Sequence, residues 1–103
     1  MKDKYSFADL VEITAKLRSP EGCPWDREQT FESLKKYLAE ESQEVFDAVD
    51  HQDMENLCEE LGDVLFQVMI NSQIAQEKGA FTIDDVVDGV CRIENVPQIS
   101  DVT

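Results

Sequence analysis

Apolar residues return at intervals of three and four in four successive stretches of the chain, and none of these stretches sustains the two-residue alternation of a strand. That period admits helices packed on helices and little else. In the first stretch Ser6 with Asp9 forms a capping-box pattern, and Phe7, Leu10, Val11, Thr14 and Leu17 follow, predicting a helix over about residues 7–18. Ser19 to Gln29 carries Pro20, Gly22, Pro24 and Trp25 and reads as an ordered loop, long for a bundle. Either Asp26 with Gln29, or Thr30 itself, caps the next stretch, whose apolar face runs from Phe31 and Leu34 to Val49. After the turn Asp50-His51-Gln52-Asp53, Asp53 caps the longest helix, which ends at Lys78-Gly79. Thr82 with Asp85 opens a fourth, carrying Ile83, Val86, Val87, Val90 and Ile93 until Pro97 stops it. The expected fold is all-α, a four-helix antiparallel bundle.

A chain of 103 residues accommodates one such unit, with its core over about 7–95 and a loose tail at 96–103. No run approaches the roughly 20 apolar residues of a membrane span. Charge narrows the partners further: 23 Asp and Glu against 9 Lys and Arg leave −14, a surface that repels nucleic acid and anionic lipid. A phosphorylated ligand enters such a field only behind a divalent cation. Cys23, Cys58 and Cys91 include no C-x-x-C pair and read as reduced thiols. With no apolar leader after Met1, they place the expected location in the cytoplasm.

The acids are not spread evenly round the helices. At 100° per residue with Leu38 at zero, Glu41 falls at about −60°, inside the apolar arc. Glu44 lands on its rim at about −120°, and Glu40 farther round at about −160°. On the longest helix, with Leu61 at zero, Glu60 at about −100° and Asp63 at about −160° begin a polar column. Gln67 and Asn71 extend it, with apolar residues on both flanks. An unpaired buried carboxylate costs several kcal/mol, so the chain must supply a cation or accept a raised pKa. Two acid pairs spaced i, i+3, Glu41 with Glu44 and Glu60 with Asp63, would meet across an antiparallel helix pair. Oxygen ligands in that number suit Mg²⁺, with Mn²⁺ as a substitute. Taken singly, a pair of this kind is more often a solvated face of a very acidic chain; two pairs beside the apolar seam on neighbouring helices favour a site.

Other chemistries fit poorly. The only histidine, His51, has Ala48 three residues before it, so a di-iron E-x-x-H motif is missing. Asp84, Asp85 and Asp88 lack the alternation of an EF-hand loop, and four scattered glycines make no phosphate-binding loop.

The run Leu17-Arg18-Ser19-Pro20-Glu21-Gly22-Cys23-Pro24-Trp25-Asp26, then Gln29-Thr30, Ser33-Leu34, Tyr37 to Glu44 and Glu59 to Asp63, resembles the MazG nucleoside triphosphate pyrophosphohydrolases. The likeness covers about residues 7–95, and its E-E-x-x-E followed by E-x-x-D matches the family's metal signature. The resemblance implies a Mg²⁺-dependent hydrolase that splits a nucleoside triphosphate between its α and β phosphates, in nucleotide-pool house-cleaning, with deoxynucleotides among the substrates. Glu41, Glu44, Glu60 and Asp63 would be the metal ligands. Glu41 and Glu40 would carry the catalysis, Glu40 either supporting the ligands from behind or helping to orient the attacking water.

For such a substrate Arg27, Lys35 and Lys36, three of only nine cations and placed at the start of the second helix, would hold the triphosphate tail, or else serve as surface charges. Trp25 would stack on the base or anchor the core, and Gln67 with Asn71 would bond the sugar or base or a neighbouring helix. Family members often carry His where Phe31 stands, and longer ones continue into a basic tail where this chain has Arg92 to Gln98, so substrate preference does not transfer. One copy of the domain, where longer relatives have two, implies a homodimer or homotetramer. Two alternatives stand beside this: a catalytically silent helical module that binds a nucleotide or protein, and a relative specific for deoxyuridine or deoxycytidine triphosphate.

Overall fold

The computed structural model describes residues 3–95, and the expected loose tail at 96–103 lies outside them. The helices are α1 (Phe7–Leu17), α2 (Pro24–Glu28), α3 (Phe31–Asp50), α4 (Met54–Glu77) and α5 (Ile83–Glu94). No strand occurs among the described residues, and none of their helices is long and apolar enough to cross a membrane. The all-α expectation holds, with one helix more than the four anticipated. The addition, α2, lies inside the segment taken for a loop. Pro24 at its first turn has its ring-fixed φ already set for a helix, and Asp26 and Arg27 suit the two ends of its dipole.

The boundaries follow local chemistry. Ser6 and Asp9 cap α1 reciprocally, with Ser6 N donating to Asp9 Oδ2 at 2.8 Å and Asp9 N to Ser6 Oγ at 3.2 Å. Thr30, not Asp26, caps α3, in a box with Ser33. Asp53 caps α4, and Gly79 just past its end takes φ 72°, the left-handed conformation that a side chain disfavours. Thr82 and Asp85 repeat the box at α5.

The antiparallel pair α3 and α4 is the main packing, and α1 and α5 lie against α4. Leu34 of α3 meets Ile70 and Ile74 of α4 in a fully buried cluster, with Tyr37 and Phe66 packed on it. Ala48, Met69 and Ala75 are buried as well. The apolar arcs expected at the core are displaced, however. Leu38 and Leu61, the reference positions on those arcs, are 40% and 51% exposed, and Phe46, Val49, Met54 and Leu65 are exposed as well. The two helices face each other through a side rotated away from both leucines, the side that carries Leu34, Glu41 and Ala48 on α3 and Glu60, Gln67, Ile70 and Ile74 on α4. Among the described residues of one chain the leucine stripes therefore have no cover, and the polar column lies in the seam.

Candidate metal centre

The seam between α3 and α4 is apolar at one end and acidic along the next two turns. Glu41 and Glu44, one turn apart on α3, approach Glu60 and Asp63, one turn apart on α4. One carboxylate oxygen from each lies within 4.8 Å of those of the other three. Glu41 and Glu60 are partly buried, while Glu44 and Asp63 sit at the exposed rim. Glu41 Oε2 is fully buried and accepts no hydrogen bond.

Four like charges in this space repel, and the chain provides no arginine or lysine bond to them among the described residues. Burial pushes the Glu41 carboxyl up, and repulsion from Asp63 and Glu44 adds to the rise. Glu60 is pushed up to about 7, first by loss of solvent and then by its contacts with Glu44 and Asp63. An orphaned buried oxygen within a ring of hard oxygen donors is the arrangement a divalent cation satisfies, so the residues present fit such an ion.

The remaining sequence-predicted residues are distributed unevenly. Gln67 is 8% exposed and its Oε1 is buried without a partner, one turn beyond Asp63 in the same column. Asn71 donates to Gln67 O at 2.7 Å, a bond within its own helix. Trp25 is half exposed and meets Tyr37 edge-on, with ring centroids 5.6 Å apart and planes at 69°. Lys36 Nζ lies 5.1 Å from the centre of the Tyr37 ring. Lys35 pairs with Glu32 at 3.2 Å, and both lysines line an open hollow of about 420 Å³ with Gln29, Ser33 and Tyr37. Arg27 stands apart from them: it donates to Pro20 O and borders a different hollow, beside Arg18, Glu77 and Lys78. Glu40 is exposed on α3, next to the cluster in sequence but outside the four carboxylates that converge. His51 caps α3 in an exposed turn, its Nδ1 2.7 Å from Asp47 O. Cys23, Cys58 and Cys91 are all free thiols.

Arg18 stands within the Leu17–Asp26 motif, where the sequence pattern assigns it no role. Its side chain is 9% exposed and binds Glu77 through two nitrogens, Nε to Oε2 at 2.9 Å and Nη2 to Oε1 at 2.8 Å. The partner holds Glu77 well below the usual carboxylate range. The only signal available in the sequence was a lone arginine ending a helix just before a Ser-Pro pair.

These features define an all-α domain built round a four-carboxylate centre between two antiparallel helices. The sequence pattern of the MazG nucleotide pyrophosphohydrolase domain matches residues 29–93, and the chain belongs to that family. It is 59% identical over 81 residues to the nucleoside triphosphate pyrophosphohydrolase/pyrophosphatase MazG of Thermotoga maritima, covering 79% of this chain and 32% of that protein. The nucleoside triphosphate pyrophosphohydrolase of Escherichia coli is 50% identical over 78 residues, 75% of this chain and 30% of its own length. That of Mycolicibacterium smegmatis is 46% identical over 88 residues, 84% and 26% respectively. The chain thus spans about a third or less of the length of these curated relatives.

Proposed function

We propose that the domain hydrolyses nucleoside triphosphates, deoxynucleotides among them, to the monophosphate and pyrophosphate, with Mg²⁺ held by Glu41, Glu44, Glu60 and Asp63. The observation that carries the reading is the convergence of those four carboxylates on one point with a buried, unpartnered Glu41 oxygen. The names of the relatives support the activity. When bound, the ion offsets charge on the phosphate oxygens and on the departing pyrophosphate.

The protein's own groups do the rest. Glu40 and Glu41 orient a water for attack on the α phosphorus and accept its proton as the new P–O bond forms. The bond from that phosphorus to the bridging oxygen breaks, and pyrophosphate leaves with the electron pair. Gln67, one turn along the column, offers its free amide oxygen to a sugar or base donor, with Asn71 beside it. Trp25, standing on Tyr37, offers a face or edge to the base, and Lys35 and Lys36 attract the phosphate tail. Arg27 contributes at longer range.

The open stripes on α3 and α4, Leu38, Val49, Leu61 and Leu65 among them, support assembly of the chain into a homodimer or homotetramer. The reduced thiols support a cytoplasmic setting, and domestic nucleotide-pool cleaning is the role that suits the chemistry.

The test is to incubate the protein with Mg²⁺ and a panel of ribo- and deoxynucleoside triphosphates and to separate the products. Monophosphate with pyrophosphate is expected. Diphosphate with orthophosphate would move the cleavage to the γ phosphate and overturn the proposal.

A further inference from the structure

A five-residue helix does not hold itself, because its few internal hydrogen bonds do not offset the cost of nucleation. Asp26 is the only buried residue in α2, and the half-exposed Trp25, edge-on to Tyr37, gives the helix only a partial apolar hold. Its position must be imposed from outside, and the polar contacts show where. Arg18 Nη1 donates to Asp26 O at 2.6 Å and to Gln29 O at 3.0 Å, carbonyls at the end of α2. The other edge of the guanidinium is gripped by both oxygens of Glu77, in the last turn of α4. Gln29 passes the constraint on: its Nε2 donates to Trp25 O at 3.0 Å, and its Oε1 accepts from Ser33 Oγ at 2.8 Å. Upstream, Cys23 N donates to Leu17 O, and a Cβ on Gly22 would strike the carbonyls of Lys16 and Leu17, so the loop is pressed onto the end of α1.

We propose that Arg18 is a positioning residue: locked by Glu77, it sets α2 so that Trp25 stands against Tyr37 as the wall that receives the nucleobase. The idea rests on the nucleotide reading above. Only arginine serves, because its planar fork reaches four acceptors on two segments, the end of α2 and the last turn of α4, whereas an ammonium at the end of a lysine cannot span both the carboxylate and the two carbonyls. Arg18 touches no substrate; it acts through Trp25, the only tryptophan in the sequence, so one fluorophore reports the result.

The experiment compares the full chain with Arg18→Lys and Glu77→Gln, the second of which keeps the arginine and its carbonyl bonds. Acrylamide quenching of Trp25, steady-state kinetics on the preferred nucleoside triphosphate, and Mn²⁺ affinity are measured on each. Both variants are expected to increase acrylamide quenching of the half-exposed Trp25 and to raise KM by about tenfold, with kcat within about twofold and Mn²⁺ affinity unchanged. A lower melting temperature with unaltered quenching and KM would make the clamp merely structural and overturn the proposal. If the wild-type chain turns over no nucleoside triphosphate, the nucleotide reading fails, and with it the base-receiving role of Trp25. The quenching arm then still separates the two ideas, since unaltered quenching contradicts the clamp whatever the substrate.

Discussion

Protons and a divalent cation compete for the same four carboxylates, and the competition can be sized. Glu60 is pushed up to about 7 in the metal-free protein, so its carboxyl is about ten-elevenths protonated at pH 6 and about one-eleventh at pH 8. Because a divalent ion needs the ionised ligand, Glu60 alone lowers the apparent affinity by about tenfold between pH 8 and pH 6. Glu41, raised by burial and by the repulsion of Asp63 and Glu44, deepens the fall. Titration calorimetry with Mg²⁺ or Mn²⁺, repeated at pH 7 in two buffers of different ionisation enthalpy, counts the protons released. About half a proton is expected from Glu60, with an added share from Glu41. An affinity constant to within twofold from pH 6 to pH 8, with no proton released, would refute the reasoning. The same shifts set the stability of the metal-free protein: its folded state binds more protons than the unfolded chain between about pH 4.3 and 7, so stability falls as pH rises through that window. Saturating Mg²⁺ should restore it most strongly at the alkaline end.

Glu41→Gln should abolish turnover while the far-ultraviolet circular dichroism stays helical, because it removes a repelling charge and not an apolar contact; loss of the helical signal would make Glu41 structural. Glu77 behaves in the opposite sense to the cluster. Its lowered pKa contributes stability above about pH 4.3 that is lost as pH falls through the lowered value, and Glu77→Gln should flatten that acid limb in thermal melts. Leu34→Ala, at a site 1% exposed between Ile70 and Ile74, should cost about 2.7–5 kcal/mol in chemical denaturation, and a cost below about 1 kcal/mol would misplace the core. Leu61→Asp, on the open stripe, should yield monomers by light scattering; an unchanged assembly would put the interface elsewhere.

The helices and their ends were legible because they are local. The Ser6–Asp9 and Thr82–Asp85 boxes and the glycine at 79 are set by contacts within four residues, which a sequence displays directly, whereas at α3 the sequence offers Asp26 with Gln29 as well as Thr30, and the box of Thr30 with Ser33 decides between them. The convergence of Glu41, Glu44, Glu60 and Asp63 was legible for a related reason: i, i+3 spacing puts each pair on one face, and a short turn makes the helices antiparallel. Which face each helix turns inward was not. Leucine at 38 and 61 marks an apolar surface in the sequence, but hydrophobicity does not say whether α3, α4 or a second chain covers it.

The Arg18 clamp was hidden because it joins residues 59 positions apart and bonds to backbone carbonyls, which carry no residue signature. The helical state of Pro24–Glu28 was hidden because proline both breaks and begins helices.

The central claim is that two antiparallel helices bring four acids to one divalent cation. Anomalous diffraction from crystals soaked in Mn²⁺ tests it most directly. A peak enclosed by oxygens of Glu41, Glu44, Glu60 and Asp63 is the predicted result; no peak there, with the four carboxylates turned apart into solvent, would contradict it.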